Sequence, residues 1–332
     1  MTTRKMEEKE HIPLVSIVIL HYNRPDELFY CLEKISVNEY PNYEVIVVDN
    51  HSDSNISERL SGRDPEIRLF CLDRNIGVSG WNHGFKVARG EYIFVLDDDS
   101  YPLPGAVSHC VQIMRENERC GIVACKIVDE SLEFVQSSHL SEGHAIDFVG
   151  CGAMIRKQVL DEVGYFAKYI FLYGHETDYS MKVRNAGWEI IYSLKAIVVH
   201  LRARSNRDWK DGTEISKRAM RHVNRSIILI LVLHFPLRSV FLRLIRIITG
   251  RLLFALYKRS FISVASGIIS ALYDVFTLSN ERIIVKQEIQ EEYLNGGVFG
   301  GFFYDGSFGF KRPKNVLYKL KKYFRSASNG LD

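Results

Sequence analysis

Residues 92–100 have the sequence YIFVLDDDS, a short apolar run that leads directly into three carboxylates. An uninterrupted apolar run of this length is typical of a β-strand that is buried on both faces. The three acidic residues would then lie just past the carboxyl end of that strand. Ligands of parallel α/β sheets bind beyond this edge, so the stretch predicts both a buried sheet and the position of its site.

Three similar apolar runs precede it, at residues 15–20, 43–49 and 67–72, and they predict three more buried strands. The segments 27–36 and 79–88 predict helices between the strands, and the first has its apolar residues on one face. Strands that alternate with helices indicate βαβ units and a mainly parallel sheet. The sequence therefore predicts an α/β fold class, with the polar clusters that follow the strands gathered at one edge.

The composition sets limits on the kind of protein. Of 332 residues, 46% are hydrophobic and 12% aromatic, which is enough for a sizeable core and excludes a disordered chain. The 43 Lys and Arg against 40 Asp and Glu leave a net charge of +3, so no nucleic-acid partner is expected. Six scattered cysteines without a CxxC pair are typical of reduced thiols in a cytosolic protein. Residues 1–12 lack the apolar core of a secretory signal and predict a flexible tail.

The second half of the chain has a different charge pattern. Between Ile215 and Tyr273 there are ten Lys or Arg and no Asp or Glu, interleaved with apolar residues. This pattern is typical of helices that lie on an anionic membrane surface. It equally fits helices that pack their apolar residues on a core and solvate their arginines. The apolar runs 226–237 and 260–273 are shorter than the roughly 20 residues that a bilayer-spanning helix needs, so we expect a peripheral protein.

Two acidic clusters follow predicted strands. Asp97, Asp98 and Asp99 repel one another unless a cation or a group of donors offsets their charge, and their oxygens suit Mg²⁺ or Mn²⁺. A solvated acidic turn is the alternative. Asp49 ends the strand 43–49, and a carboxylate at such a strand end commonly accepts from a ribose or a base. An Asx turn or a helix cap would explain Asp49 equally well.

Three further segments carry candidate residues. Glu176 and Asp178 begin a predicted helix, where acids commonly cap the helix but where a carboxylate in a cleft can also act as a general base. His200 ends a strand-like apolar run, and a lone histidine there is more often structural. The glycine-rich stretch from Asn75 to Gly84 lets the backbone approach a ligand closely. It is neither a GxGxxG nor a P-loop pattern.

Taken in order, these segments resemble one family. They are HYNRPDEL (21–28), VVDNHSD (47–53), NIGVSGWNHGF (75–85), LDDDS (96–100), GCGAMIRK (150–157), FLYGHETDYSMKVRNAG (171–187) and AIVVH (196–200). The chain is similar over about residues 13–205 to the inverting family 2 glycosyltransferases with a GT-A fold, especially the rhamnosyltransferase-like branch of bacterial surface-polysaccharide synthesis. The resemblance implies a Rossmann-like sheet that binds a nucleotide-diphosphate sugar.

The resemblance also implies an activity. The enzyme would move a sugar from a UDP- or dTDP-sugar, such as dTDP-rhamnose, to a hydroxyl of a glycan or lipid-linked glycan acceptor. Mg²⁺ or Mn²⁺ would be the cofactor. The partners would include an anionic membrane surface, and the protein would lie on the cytoplasmic face of the cell membrane.

Residue by residue, the resemblance implies that Asp97 and Asp99 are the outer acids of the DxD motif. Asp99 and His200 would bind the metal, and Asp49 would bind the pyrimidine base. The other donor-side residues would be Tyr22, Arg24, Asn75, Gly77, Asp97, Asp98, Gly150 and Gly152.

Glu176 matches the catalytic base of the family, with one departure. The family usually has Glu-Asp-x-Asp where this chain has His175-Glu176-Thr177-Asp178, so Asp178 is a rival for the base. Two other functions fit part of the pattern. A catalytically impaired scaffold at the membrane is favoured by this departure alone. A sugar-nucleotide pyrophosphorylase would need a Gly- and Arg-rich loop after the first strand, where this chain has HYNRPD.

We accordingly divide the chain into a flexible tail (1–12), a GT-A catalytic domain (13–212) and a basic helical region (213–332). Within the last region, the Gly- and Phe-rich stretch 296–310 predicts either a lid or acceptor-contact loop, or a tail that docks its phenylalanines on the core.

Overall fold

The computed structural model describes residues 11–37, 39–62, 67–133, 142–201, 209–210, 214–257 and 260–294. Most of the predicted tail and the whole of the predicted stretch 296–310 lie outside these described residues. The strands are β1 (Val15–His21), β2 (Tyr43–Asp49), β3 (Ile67–Cys71), β4 (Tyr92–Asp97), β5 (Ser100–Pro102), β6 (Cys120–Val128), β7 (Gly143–Ala145), β8 (Ala153–Arg156), β9 (Glu189–His200), β10 (Trp209–Lys210) and β11 (Glu214–Ile215). The helices are α1 (Pro25–Ser36), α2 (Ser57–Leu60), α3 (Trp81–Val87), α4 (Ala106–Glu116), α5 (Lys157–Val163), α6 (His175–Asn185), α7 (Lys217–His234), α8 (Leu237–Tyr257), α9 (Phe261–Thr277) and α10 (Gln287–Leu294).

Strands β1 to β9 form one sheet in the order β3-β2-β1-β4-β8-β6-β9-β5, and β7 pairs with β9. The first four positions are parallel, with Val15 of β1 opposite both Tyr43 of β2 and Tyr92 of β4. In the other half, β8 runs antiparallel to both β4 and β6, while β9 is parallel to β6 and antiparallel to β5 and β7. The predicted α/β class, a sheet flanked by helices, is confirmed. The sheet is mixed where the sequence predicted a mainly parallel one, because β5, β7 and β8 run antiparallel to their neighbours.

The two faces of the sheet carry separate cores, which explains why the strands are continuous apolar runs. Val18 of β1 packs with Trp81 and Phe85 of α3 on one face. Its neighbours on the strand, Ile17 and Ile19, pack on the opposite face against residues of α1 and α4. Successive side chains of a strand point to opposite faces, so a strand covered on both sides needs apolar residues at every position.

The basic helical region divides into two unlike parts. Apolar residues of α7, among them Ile227 and Ile230, are fully buried in the same core as α3 and α6. In contrast, α8 and α9 expose large apolar side chains, including Leu242, Ile262 and Phe276 at 78%, 84% and 83%. No described helix combines the length and the apolar character needed to cross a bilayer. Helix α7 therefore packs its apolar residues on the core, as the second interpretation predicts, and the membrane-surface interpretation of α8 and α9 stays a prediction.

Candidate active site

The acidic end of β4 lies beside the end of β9. The Ser100 side chain accepts from the backbone N–H of Asp97 at 3.0 Å and closes the turn that leads into β5. Strand β5 then pairs with β9 so that Ser100 lies opposite His200. This register brings His200 Nε2 within 3.3 Å of Asp99 Oδ1. Two residues that are separated by about a hundred positions in the sequence thus share one site.

Asp97 and Cys151 complete a group of ligand atoms around His200. Asp97, Cys151 and His200 each offer one such atom, all within 4.8 Å of one another. Burial, followed by the charge of Asp99, raises the pKa of Asp97 to about 7. Burial alone would lower the pKa of His200, but Cys151 and Asp99 raise it well above its ordinary value. Carboxylates crowded in this way fit a divalent cation, and the oxygen and nitrogen donors of Asp97, Asp99 and His200 suit Mg²⁺ or Mn²⁺.

Asp98 has a different environment from its neighbours. Its carboxylate is fully buried, accepts from the backbone N–H of Tyr22 at 3.0 Å, and lies 2.9 Å from His21 Nδ1. Arg24 Nη2 lies 2.5 Å from the other oxygen of Asp98, and Arg24 Nη1 lies 2.9 Å from Asp99 Oδ2. Asp98 therefore fastens the end of β1 to the end of β4. Because its carboxylate does not face solvent, its placement does not support the predicted role in binding the donor.

The predicted nucleotide side is held together by Asn50, which sequence analysis did not single out. Asn50 donates to Asn75 Oδ1 and to the carbonyl of Gly77, at 3.1 and 3.0 Å, and accepts from the backbone N–H of Ile76 at 3.0 Å. Asp49 accepts from the backbone N–H of Ser52, in an Asx-type turn. Asn50 belongs to the segment VVDNHSD, and its position directly after Asp49 is the feature of the sequence that could have identified it.

Gly77 is required by the backbone that it touches. Its φ is +66°, and an added Cβ would lie 1.9 Å from the carbonyl oxygen of Phe171. That same carbonyl accepts from the backbone N–H of Val78 at 2.9 Å. Gly77 thus lets the donor-side turn contact the loop that precedes α6.

Gly152 is likewise explained by packing, since its added Cβ would lie 2.6 Å from Ile127 Cδ1 and 3.0 Å from Val198 Cβ. Gly150 is different because the groups around it are polar. Its added Cβ would lie 2.7 Å from His175 Nε2 and 3.2 Å from Glu176 Oε1. Gly150 therefore makes room for the first two residues of α6.

Two groups lie close to the Glu176 carboxylate at the start of α6, and one of them donates a hydrogen bond to it. The backbone N–H of Gly150 donates to Glu176 Oε1 at 3.3 Å, and His175 Nδ1 lies 3.0 Å from Glu176 Oε2. Burial lowers the pKa of His175, which favours a neutral ring, and that ring stacks on Trp81. The side chain of Glu176 is 24% exposed, so its carboxylate remains accessible to a bound molecule.

Asp178, the rival for the base, is enclosed on every side. Its carboxylate is fully buried and accepts from Tyr169 Oη at 2.5 Å, while Lys182 Nζ and His234 Nε2 each lie 2.7 Å away. Burial alone would raise the pKa of Asp178, but Lys182 and His234 hold it well below its usual range. This carboxylate joins α6 to the end of α7. Nothing in the sequence pattern pointed to His234.

Asp147 accepts hydrogen bonds from two side chains of α6 and makes the stability of the fold depend on pH. It accepts from Thr177 Oγ1 at 2.6 Å and Ser180 Oγ at 2.9 Å, and burial above all raises its pKa to about 7. The folded state therefore holds this proton more tightly than the unfolded chain does, and that advantage is lost as the pH rises from about 4 to about 7.

Asn does not ionise, so Asp147→Asn should not lose this stability as the pH rises. The difference in unfolding free energy, variant minus wild type, should therefore increase by about 1 kcal/mol per pH unit between pH 5 and 7. Chemical denaturation at pH 5, 6 and 7 measures the difference. Profiles that run parallel for the two proteins would contradict the assignment.

Comparison with known proteins bears on the domain that holds these residues. Residues 16–171 match the family model described as Glycosyl transferase family 2. YwdF of Bacillus subtilis, described as an uncharacterized glycosyltransferase, is 29% identical over 46% of this chain and 61% of its own length. The succinoglycan biosynthesis protein ExoO of Rhizobium meliloti is 33% identical over 38% of this chain and 35% of its own. The chain thus spans less than two thirds of these relatives.

Solved structures agree with the fold. The mannosyltransferase PcManGT of Pyrobaculum calidifontis, in complex with GDP-Man and Mn²⁺, superposes with a TM-score of 0.53 at 15% identity, covering 90% of this chain and 89% of its own. GalNAc-T7 with UDP, GalNAc and Mn²⁺ gives a TM-score of 0.54 at 13% identity, covering 68% of this chain and 49% of its own. At sequence identities this low, the similarity shows only that the folds are alike. The chain therefore has the GT-A fold of these solved glycosyltransferases. Its similarity to the Glycosyl transferase family 2 model covers just under half of the chain and ends at Phe171, before Glu176, Asp178 and His200.

Proposed function

We propose that the protein is a metal-dependent, inverting glycosyltransferase that moves a sugar from a nucleotide-diphosphate donor to a hydroxyl of a glycan or lipid-linked glycan. One observation carries this proposal. Ligand atoms of Asp97, Cys151 and His200 lie within 4.8 Å of one another, and Asp99 Oδ1 lies 3.3 Å from His200 Nε2. The backbone N–H of Gly150, the neighbour of Cys151, donates to the accessible carboxylate of Glu176. This arrangement supplies an acidic cation site and a separate base, as the reaction requires.

Asp99 and His200, with Asp97 beside them, would hold Mg²⁺ or Mn²⁺. When bound, the cation neutralises the charge of the nucleoside diphosphate leaving group. Asp49, Asn75 and Gly77 would line the nucleotide side of the cleft, with Tyr22 and Arg24 next to them. The solved relatives carry UDP and GDP-Man in their descriptions, which supports a nucleotide-sugar donor here.

Glu176 would act as the general base. As the acceptor oxygen forms its bond to the anomeric carbon, Glu176 takes the proton of that hydroxyl, and the bond from the anomeric carbon to the diphosphate oxygen breaks on the opposite face. A single displacement of this kind inverts the anomeric centre and needs no covalent nucleophile. The neutral His175 and the N–H of Gly150 would keep the Glu176 carboxylate aimed at the acceptor.

A pyrimidine nucleotide and a lipid-linked acceptor are the partners that we propose. A relative from Escherichia coli, 31% identical over 30% of this chain and 41% of its own length, is described as a UDP-Glc:alpha-D-GlcNAc-diphosphoundecaprenol beta-1,3-glucosyltransferase. A UDP- or dTDP-sugar, including dTDP-rhamnose as in the rhamnosyltransferase-like branch, fits this proposal.

The exposed apolar residues of α8 and α9, interleaved with the arginines of the basic block, support a peripheral position on the cytoplasmic face of the cell membrane. In this proposal, residues 13–212 form the catalytic domain and residues 213–332 the membrane-facing region. Helix α7 belongs to both, because it is buried against the catalytic domain.

A panel of UDP, dTDP, GDP and CMP, each with and without Mn²⁺, tests the proposal by thermal unfolding. A ligand that binds only the folded state at 100 times its Kd adds about 2.7 kcal/mol of stability, and the melting temperature should rise by several degrees with UDP or dTDP plus Mn²⁺. Asp99→Ala should abolish the shift, whereas Asp161→Ala, which removes an exposed carboxylate of α5, should keep it. If no nucleotide shifts the wild-type protein, the scaffold alternative is favoured. UTP and dTTP are run beside the panel, and a shift with these triphosphates instead of the diphosphates would favour the pyrophosphorylase alternative.

A further inference from the structure

A shallow basic cavity of about 510 Å³, largely open to solvent, lies between the first turns of α7, the start of α9 and the loop before α6. Lys217, Arg218, Arg221 and His222 from α7 line one side, and Ser263 from α9 lines another. Every charged side chain in the lining is basic. The cavity therefore favours an anion.

Two features of the chain strengthen this preference. The sequence from Ile215 to Tyr273 has no acidic residue, so neither α7 nor the first three turns of α9 brings a negative charge to the cavity. The basic side chains also lie at the N-terminus of the 18-residue helix α7, where Ser216 caps the backbone N–H of Ala219. A helix N-terminus carries partial positive charge, which adds to that of the side chains. A doubly charged group such as a diphosphate suits this concentration of positive charge.

Phe171 places the cavity next to the donor side of the cleft. Its ring lines the cavity, stacks on His222 with centroids 4.9 Å apart, and lies 5.8 Å from the guanidinium of Arg218. Its backbone carbonyl accepts from Val78 in the donor-side turn at Gly77. A single residue thus separates the cavity from the turn that we assign to the nucleotide.

An apolar track leads away from the cavity along α9. Ile262 lines the cavity and is 84% exposed, and Ile269, Tyr273 and Phe276 follow it at 7, 11 and 14 positions further on. These spacings place all four side chains on one face of the helix, and all four are exposed. A basic cavity at the head of an exposed apolar face matches an amphiphile with an anionic head and a hydrocarbon chain.

We propose that this cavity binds the diphosphate of the lipid-linked acceptor, with the prenyl chain lying along the exposed face of α9. This inference rests on the proposed function and specifies its acceptor: the sugar hydroxyl is presented to Glu176 while the diphosphate is held by Arg218 and Arg221. The cavity is distinct from the cation site at Asp99 and His200, so the two diphosphates of the reaction are recognised separately.

Binding of farnesyl diphosphate to the full chain, in EDTA to keep the cation site from contributing, tests the inference. The double variant Arg218→Gln/Arg221→Gln should weaken this binding at least tenfold. The matched pair Arg238→Gln/Arg246→Gln on α8 removes the same charge from the membrane-facing region and should change it less than twofold. With a lipid-linked acceptor, the cavity variant should raise the acceptor KM at least tenfold and leave the donor KM unchanged.

Several outcomes would overturn the inference. The first is that farnesyl diphosphate binds the wild-type protein and the cavity variant equally, or binds neither. If inorganic pyrophosphate binds as tightly as farnesyl diphosphate, the site recognises a free anion and not a lipid. If the cavity variant instead loses binding to phosphatidylglycerol vesicles and keeps farnesyl diphosphate, the cavity serves phospholipid headgroups. The nucleotide-induced shift, measured on the same three proteins with Mn²⁺ and without EDTA, reports on the proposed function separately and should be the same for all three.

Discussion

Replacing Glu176 by Gln is expected to slow sugar transfer by roughly 10²–10⁴-fold, the usual contribution of a general base. Gln keeps the size of the side chain and can still accept from Gly150, but its amide does not take up the acceptor proton. Nucleotide binding should be unaffected, because the cation site that we propose lies at Asp99 and His200. Initial rates at saturating donor and acceptor, with thermal shifts on the same samples, measure the two effects.

Glu176→Asp provides the matched control. It retains a carboxylate and restores the residue that the family usually has, so it should keep more activity than Glu176→Gln even though the side chain is one methylene shorter. Transfer at the wild-type rate by Glu176→Gln would remove Glu176 from the mechanism. Absence of transfer by the wild-type protein, together with normal nucleotide binding, would favour the scaffold alternative.

Replacing Asp178 by Ala is expected to lower the free energy of unfolding by about 3–5 kcal/mol, the usual effect of removing one partner of a buried ion pair. Lys182, His234 and Tyr169 all share this carboxylate, and each would lose its acceptor inside the protein. Chemical denaturation of the full chain measures the loss. Asp161→Ala, at an exposed position of α5, should change stability by less than about 0.5 kcal/mol.

The same variant separates the two candidates for the base. If Asp178→Ala kept its stability and lost transfer, Asp178 would be the base and the assignment of Glu176 would be wrong. A milder change, His234→Gln, retains one donor toward Asp178 and should destabilise the protein less than Asp178→Ala does. Equal losses from the two variants would show that the carboxylate and the imidazole act only as a pair.

The first four strands could be predicted because each is buried on both faces and is therefore a continuous apolar run. Their bounds agree with the prediction to within a residue, as in β2 at Tyr43–Asp49. The second half of the sheet could not be predicted in this way. Apolar periodicity does not tell which strand pairs with which, and the antiparallel position of β8 between β4 and β6 depends on tertiary packing.

The candidate site also has a part that could be predicted from local sequence patterns and a part that depends on strand pairing. Carboxylates that follow predicted strands could be placed at one edge, because parallel strands end together. The contact of His200 with Asp99 depends on the pairing of β5 with β9, which no local pattern encodes. Asp98 shows the limit within a single motif. Asp97 and Asp99 lie near His200, whereas the carboxylate of Asp98 is fully buried and pairs with His21 and Arg24.

The network around Asp178 has a consequence for biosynthesis. His234 follows Asp178 by 56 residues, and Tyr293, whose hydroxyl donates to the carbonyl of Ile146, follows Ile146 by 147. As the nascent chain leaves the ribosome, α6 and Ile146 are therefore translated well before His234 and Tyr293, which bind them. The part of the chain that precedes α7 would emerge as an incomplete folding intermediate that is completed only when α7 and α10 pack against it.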